Sequence, residues 1–393
     1  MIPSILPTYN RAPLSFVKGE GSWLVEADGR RFLDLGSGIA VNALGHAAPE
    51  LVEALTEQAG RIWHLSNLYT IPEQQRLADL LVDKTFADTA FFTNSGTEAC
   101  ELAVKMARKY WFEKGAPERV RILTFEGAFH GRSSAAIAAA GSEKMVRGFG
   151  PVLPGFSTLP WGDLAAVEAE IGAGDVAAVM VEPVQGEGGI RPLPDSTLQG
   201  LRALCDRAGA LLILDEVQCG MGRTGRLFAH EHAGIAPDIM MVAKGIGGGF
   251  PIGAVLATEE AASGMGAGSH GSTYGGNPLG SAVAARVVET VSDPAFLDEV
   301  NRKAGLLRQG LEGLVASHPD VFDQVRGTGL MLGLVCKAPN ADVVKAAYGA
   351  ELLTVAAADN VVRLLPALNI PDEDIREALA RLDRAAAEVE RAA

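Results

Sequence analysis

Cysteine is scarce. Cys100, Cys205, Cys219 and Cys336 lie scattered through 393 residues. Nothing in their spacing suggests a metal-ligand set or a disulfide framework. They read as reduced thiols in or near the core of a cytosolic protein. Positive charge is also in deficit: 34 Lys and Arg stand against 48 Asp and Glu, a formal net charge of −14. That balance argues against a nucleic-acid partner and leaves room only for a local basic pocket. No apolar run is long enough to span a bilayer, so no membrane partner is expected. The opening MIPSILPTYNRAP lacks a charged segment followed by an apolar one. No signal peptide is expected, and the expected location is cytoplasmic. Internal repeats and low-complexity linkers are missing too. What is present is a long chain that is 48% hydrophobic, too large for one ordinary core. Two domains are the natural expectation.

Between Leu211 and Gly253, two apolar β-rich runs each end on ionisable residues. Ala210-Leu211-Leu212-Ile213-Leu214 delivers Asp215 and Glu216, and Ile239-Met240-Met241-Val242-Ala243 delivers Lys244 and a Gly-rich loop. Runs this apolar read as strands buried on both faces, as in a parallel sheet. Residues just past their carboxyl ends then lie at the rim where open α/β sheets bind ligands. A carboxylate and an amine at fixed separation suit a cofactor needing an acid at a ring nitrogen and a lysine for an aldehyde. Pyridoxal phosphate (PLP) fits that description. Taken singly, Asp215 is equally readable as an ordinary strand-end charge, and Lys244 reads more readily as one.

The rest of the chain follows the same logic. Asp28-Gly29 between strand-like runs predicts a hairpin, and Gly36–Asn42 a flexible loop. Helices are expected at about 49–60, 73–84, 99–114, 163–171, 195–208, 293–317, 341–349 and 372–391, and another ending near Val291. Strands are expected at 90–93, 121–125, 176–181 and 253–257, then at 323–327, 330–335, 352–355 and 361–365. Helix–strand alternation through the middle predicts a largely parallel sheet. Asn94-Ser95-Gly96-Thr97-Glu98 turns a strand into a helix, a natural phosphate cradle, although taken alone the same residues better suit a plain N-cap. Phe129, His130 and Arg132 crowd a Gly-rich loop suited to stacking on a ring and holding an anion. Glu182 and Glu187 follow a strand. Arg363 is a lone cation in an apolar strand, best explained by a carboxylate partner in a cleft. His230 and His232 make a poor metal pair, since residues two apart face different ways on a helix, and they read as exposed polar residues. No metal is expected.

The motifs NSGTEA, GAFHGR, EPVQGEGG, LDEVQCGMGRTG, AKGIGGGFPIGA and HGSTYGGNP, in this order and over nearly the whole chain, resemble the class III, fold-type I PLP-dependent aminotransferases. The resemblance implies an α/β fold. A large domain, 51–290, would carry a mostly parallel sheet sandwiched by helices. A smaller α+β domain would be built from both chain ends, 1–50 and 291–393. It implies PLP as cofactor and a homodimer with shared active sites. By the same resemblance Lys244 is the catalytic lysine and Asp215 the partner of the pyridinium nitrogen. Phe129 stacks on the ring, Gln218 reaches its phenolic oxygen, and Glu216 and Val217 lie alongside. Gly96 and Thr97 hold the phosphate, joined by Thr273 from the neighbouring subunit. Arg132, Ser272 and Glu182 serve the substrate, and Glu187 masks Arg363 until a second carboxylate arrives. The early GIAVNALGH points within the family to members acting on acetylornithine, with glutamate and 2-oxoglutarate as the other pair. Related ω-amine donors (succinylornithine, succinyl-diaminopimelate, ornithine) remain alternatives, as does a PLP-dependent aminomutase or racemase. Gly245-Ile246-Gly247-Gly248-Gly249 lacks the third glycine of a dinucleotide fingerprint, and Pro251 blocks the helix such a site needs.

Overall fold

The run that ends on Asp215 lies in the middle of a seven-stranded sheet. The structure is a computed structural model and describes residues 2–392. The strands are β1 (Thr89–Thr93), β2 (Arg121–Phe125), β3 (Phe156–Leu159), β4 (Val176–Val181), β5 (Leu211–Asp215), β6 (Ile239–Val242) and β7 (Gly253–Ala257), in spatial order β1-β7-β6-β5-β4-β2-β3. The pairs β3–β2, β2–β4, β4–β5 and β5–β6 are parallel. Only β7 runs antiparallel, to both β6 and β1. The largely parallel sheet expected from helix–strand alternation is therefore present.

Continuous apolar runs form these strands because both faces are covered. Leu211 and Ile213 pack under the helix Gly96–Glu113, whereas Leu212 and Leu214 face the helices Leu164–Ile171 and Asp195–Ala208. The split recurs in β6, where Ile239 and Met241 join the first face and Met240 and Val242 the other. Each such fully buried side chain stabilises the fold by about 1.5–3 kcal/mol. β3, absent from the expectation above, is the edge strand Phe-Ser-Thr-Leu, with one neighbour and only Leu159 buried. It lacks the apolar run that marks a central strand.

The hairpin at Asp28-Gly29 is present: Trp23–Glu26 pairs with Arg31–Asp34, and Gly29 takes φ +91°. Its second strand also pairs in parallel with Leu352–Leu353, so the N-terminal segment is stitched to the C-terminal one. The expected strand 352–355 is thus divided. Leu352–Leu353 joins this sheet, while Val355–Ala357 joins an antiparallel sheet with Phe322–Thr328, Met331–Cys336 and Val361–Leu364. One continuous apolar cluster runs from Phe92, Met240 and Leu256 through the helices Pro278–Val291 and Pro294–Ser317 to Leu332 and Leu364. That cluster fixes Arg363, on the last of these strands, relative to β5 and β6.

The loop expected at Gly36–Asn42 is instead an ordered turn. Ser37, Gly38, Ile39 and Ala40 have φ values of 47°, 64°, 64° and 63°, a short left-handed helix. Such a backbone costs non-glycine residues about 1–2 kcal/mol each. Asp34 offsets that cost: Oδ1 accepts from the amides of Gly36 and Ser37 at 2.8 and 2.9 Å, and Oδ2 pairs with His46 Nε2 at 2.8 Å. The turn delivers Val41 to the site described next.

Candidate active site

Since all the strands but β7 run the same way, their carboxyl ends share one edge. The reversed strand β7 brings its entry segment to the same edge, with Gly253 opposite Thr93. There a cavity of about 420 Å³ is lined by Gly96, Thr97, Phe129, His130, Arg132, Glu182, Asp215, Val217, Gln218 and Lys244, with Phe250 and Ile252 from the β7 entry. That volume lies in the usual range for small-molecule sites.

Asp215 and Lys244 come from neighbouring strands. Asp215 is 3% exposed; Oδ1 accepts from the Val217 amide at 3.0 Å and Oδ2 lies 2.6 Å from His130 Nδ1. His130 is buried, which alone disfavours its charged form, but the hydrogen bond and charge of Asp215 outweigh burial and raise its pKa. Lys244 opens the turn Lys244–Gly247 at φ +51°. Burial depresses its ammonium pKa, against the pull of Asp215 and Glu187, and Arg363 depresses it further. A lysine desolvated in this way presents more neutral amine, the form that attacks a carbonyl.

The phosphate cradle forms where β1 turns into the helix Gly96–Glu113. Ser95 caps it, its side chain accepting from the Glu98 amide, so the cap and cradle readings coexist. The first-turn amides have no acceptor within the helix, and those of Gly96 and Thr97 remain at the cavity. The Thr97 hydroxyl is otherwise engaged: Oγ1 accepts from the Arg132 and Ser133 amides, each at 3.0 Å. Gly131 permits that close approach, since a Cβ there would sit 2.4 Å from Thr97 Oγ1. Phe129 precedes it, and the Arg132 guanidinium lies 5.5 Å from the Phe129 ring centroid.

Arg363 is 1% exposed, with Nη1 2.6 Å from Glu187 Oε1 and 3.3 Å from Gln218 Oε1. The lone cation thus has the carboxylate partner expected of it. Its Nε is buried with no partner. Glu182 accepts from the Phe129 amide at 3.0 Å. Burial, with some help from Asp215, raises its carboxyl to about 7.

Some expected site residues lie elsewhere. Glu216 turns its carboxylate away from the cavity, contrary to expectation: it accepts from the Ala229 and His230 amides at 2.8 Å each and pairs with His230 Nδ1 at 3.0 Å. The carboxylate thereby fixes the turn Ala229–Ala233, and His230 is buried, not the exposed residue expected. Ser272 and Thr273 line a separate hollow with Asn67 and His270. Ser272 Oγ is occupied by the Gly275 amide at 2.9 Å, and Thr273 is exposed. No group of metal-ligating residues occurs among the described residues. The direct contact of His130 with Asp215 was not foreseen. Its signal was a histidine in a loop whose flanking glycines let it turn inward.

The donor set fits PLP. An acid is held in a buried wall, two amides face the cavity at a helix N-terminus, an aromatic ring flanks it, and a desolvated lysine opens onto it. Comparison with known proteins agrees. Residues 6–386 match the aminotransferase class-III family. A protein of Rhodobacter capsulatus described as acetylornithine aminotransferase is 72% identical over 390 residues, covering 99% of each chain. The crystal structure of N-acetylornithine aminotransferase from Stenotrophomonas maltophilia superposes with a TM-score of 0.86 at 41% identity over 98% of both chains. An ornithine aminotransferase of Toxoplasma gondii, described with PLP at partial occupancy in its active site, gives a TM-score of 0.93 at 30% identity, covering 98% of this chain and 92% of that one.

Proposed function

The chain belongs to the class-III aminotransferases, which depend on PLP, and from that premise we propose that it transfers the terminal amino group of N2-acetyl-L-ornithine to 2-oxoglutarate. The products are N-acetylglutamate 5-semialdehyde and L-glutamate, a step of arginine biosynthesis. The observation that carries the substrate reading is the 2.6 Å Glu187–Arg363 pair beside Gln218. Acetylornithine reacts at an unbranched amine end and brings no second carboxylate there. Glutamate brings one. A guanidinium masked by a movable carboxylate serves both. It stays neutralised for the first donor and is exposed for the second when Glu187, the more accessible partner at 34% side-chain exposure, swings out.

When bound, PLP acts as an electron sink for the carbon that loses a proton. The chain's own residues do the rest. Lys244, which lines the cavity, would hold the cofactor through its aldehyde carbon and would carry the proton to and from the substrate carbon. Asp215 would hold the ring nitrogen protonated, and its bond to His130 holds the carboxylate in place. Gln218 would reach the phenolic oxygen, Phe129 and Val217 would lie against the ring, and the helix N-terminus at Gly96 and Thr97 would take the phosphate. Arg132, at the mouth of the cavity, binds the substrate carboxylate as a planar fork. Thr273 and Ser272 act in the partner's site: they lie outside this chain's cavity but beside an exposed apolar strip containing Trp63, Leu68, Tyr69 and Tyr274. That placement supports a homodimer. Segments 1–50 and 291–393 form the smaller domain, 51–290 the larger, and we keep the cytoplasmic location.

A substrate panel with 2-oxoglutarate as acceptor tests the reading: acetylornithine gives glutamate at the highest kcat/KM, and a panel led by another ω-amine overturns the assignment. Glu187→Ala raises kcat/KM for glutamate relative to acetylornithine. An unchanged ratio removes the masking role.

A further inference from the structure

Glu182 stands first after β4, with its carboxylate buried at 5% exposure. The sequence suggested a substrate ligand, but both its oxygens face backbone. Oε1 accepts from the Phe129 amide at 3.0 Å and Oε2 from the Gly186 amide at 3.4 Å. These amides belong to two different loops. Phe129 lies between Gly127 at φ +79° and Gly131 at φ +128°, a stretch with little backbone stiffness of its own. Gly186 roots the turn that carries Glu187: its carbonyl accepts from Gly189 and Ile190, and the Glu187 carbonyl accepts from the Ala358 amide at 3.0 Å. A Cβ on Gly186 would fall 2.1 Å from Gln218 Oε1, so this turn also abuts the Arg363 partner.

We propose that Glu182 is a positioning residue that ties the cofactor seat to the choice of donor, holding the Phe129 loop and the Glu187 turn in one register through two backbone amides. This rests on the function proposed above and deepens it. One other side chain links the same two loops, nearer to where each leaves its strand. The Gln185 side chain reaches the Glu126 carbonyl, at 2.9 Å. The charges nearest Glu182 are His130, Asp215 and Lys244, and burial of this cluster strengthens each hydrogen bond within it.

The test compares holoenzyme of the wild type, Glu182→Gln, Glu187→Ala and the double variant, assayed well above the value of about 7 to which burial raises the Glu182 carboxyl. A carboxamide has one acceptor oxygen and cannot serve both amides. With PLP bound, Glu182→Gln should alter the visible circular dichroism of the cofactor, because the Phe129 ring shifts. It should also move the ratio of kcat/KM for acetylornithine over glutamate by roughly tenfold toward glutamate, the size of one lost charge-assisted hydrogen bond. In the Glu187→Ala background the ratio should not move further, since the gate is already gone. An equal loss for both donors with unchanged dichroism makes Glu182 a substrate ligand and overturns the proposal. So does a ratio shift that simply adds to that of Glu187→Ala. If Glu182→Gln does not accumulate, Glu182→Asp, too short to span both amides, carries the same comparison with the same expected direction. Wild-type enzyme inactive on acetylornithine overturns the functional reading alone. The dichroism and the double-variant cycle, run with glutamate and whichever amine the panel yields, still decide the role of Glu182.

Discussion

Lys244 and Asp215 are demanding residues because each is useful only in a form that burial opposes or tunes. Asp215 is a carboxyl group at 3% exposure, and the His130 contact at 2.6 Å offsets part of the cost of burying it. Lys244 is depressed by burial, so its neutral fraction at a given pH exceeds that of a surface lysine. Lys244→Ala is expected to bind PLP without covalent attachment and to lower kcat by at least about 100-fold. Borohydride followed by mass spectrometry checks the attachment, because only the wild type should retain the cofactor mass. Asp215→Asn should lower kcat by a similar factor of about 100 while leaving KM for both donors near its original value, because it touches neither; steady-state kinetics on both donors decides. At this scale the sequence was informative where chemistry conflicts with surroundings. Asp215 and Lys244 close apolar runs, and Arg363 interrupts one. It was silent where a side chain's direction depends on a turn: Glu216 follows Asp215 directly, yet it points the other way and caps Ala229 and His230. Adjacent residues at a strand end face opposite sides, so a motif places both near a site but does not orient them.

Among the elements, the loops at the rim carry more of the function than the strands beneath them. Gly131 has φ +128°, and a Cβ there would also meet Thr97 Cα at 2.8 Å. Gly131→Ala is expected to cost about 1–3 kcal/mol of stability and to loosen the Thr97 contacts at the helix N-terminus. Gel filtration should then strip PLP from the variant but not from the wild type. Far from the site, His318 joins the end of the helix Pro294–Ser317 to the helix Asp372–Ala392, with Nε2 2.9 Å from Asp383 and Nδ1 3.0 Å from Glu390. Burial lowers its pKa, but the two carboxylates outweigh burial, so its folded value lies above 6.5. The stabilisation is therefore complete below about pH 6.5 and is lost as pH rises through the folded value. His318→Gln should lower the melting temperature clearly at pH 6 and much less at pH 9; an equal drop at both would show that charge is not involved. The long helices and central strands were legible because their periods are sustained. The left-handed turn at Ser37–Ala40 was not, because it depends on Asp34 and His46 closing over it, and no local preference of Ile39 or Ala40 favours it.

At the scale of the whole molecule, the proposed homodimer bears on the cavity. The resemblance implies a phosphate ligand from HGSTYGGNP, and Thr273 lies exposed on a different hollow of the same chain. The proposed two-fold pairing would account for this, because an isologous interface places the same segment of each copy against the other. Exposed Leu68, at 88%, lines that hollow, and exposed Trp63, Tyr69 and Tyr274, at 67%, 66% and 61%, directly adjoin its lining residues in the chain, the kind of apolar surface a partner covers. The arrangement predicts subunit complementation. Lys244→Ala is inactive through its own chain. Thr273→Asp should be inactive through the other, by placing a negative charge against the phosphate. Mixed in equal amounts and allowed to exchange, half the dimers are hybrids. One of the two sites in each hybrid then combines an intact lysine from one chain with an intact threonine from the other. About a quarter of wild-type activity should return. If Thr273 served the cavity of its own chain, every site in every hybrid would carry a lesion, and mixing would restore nothing.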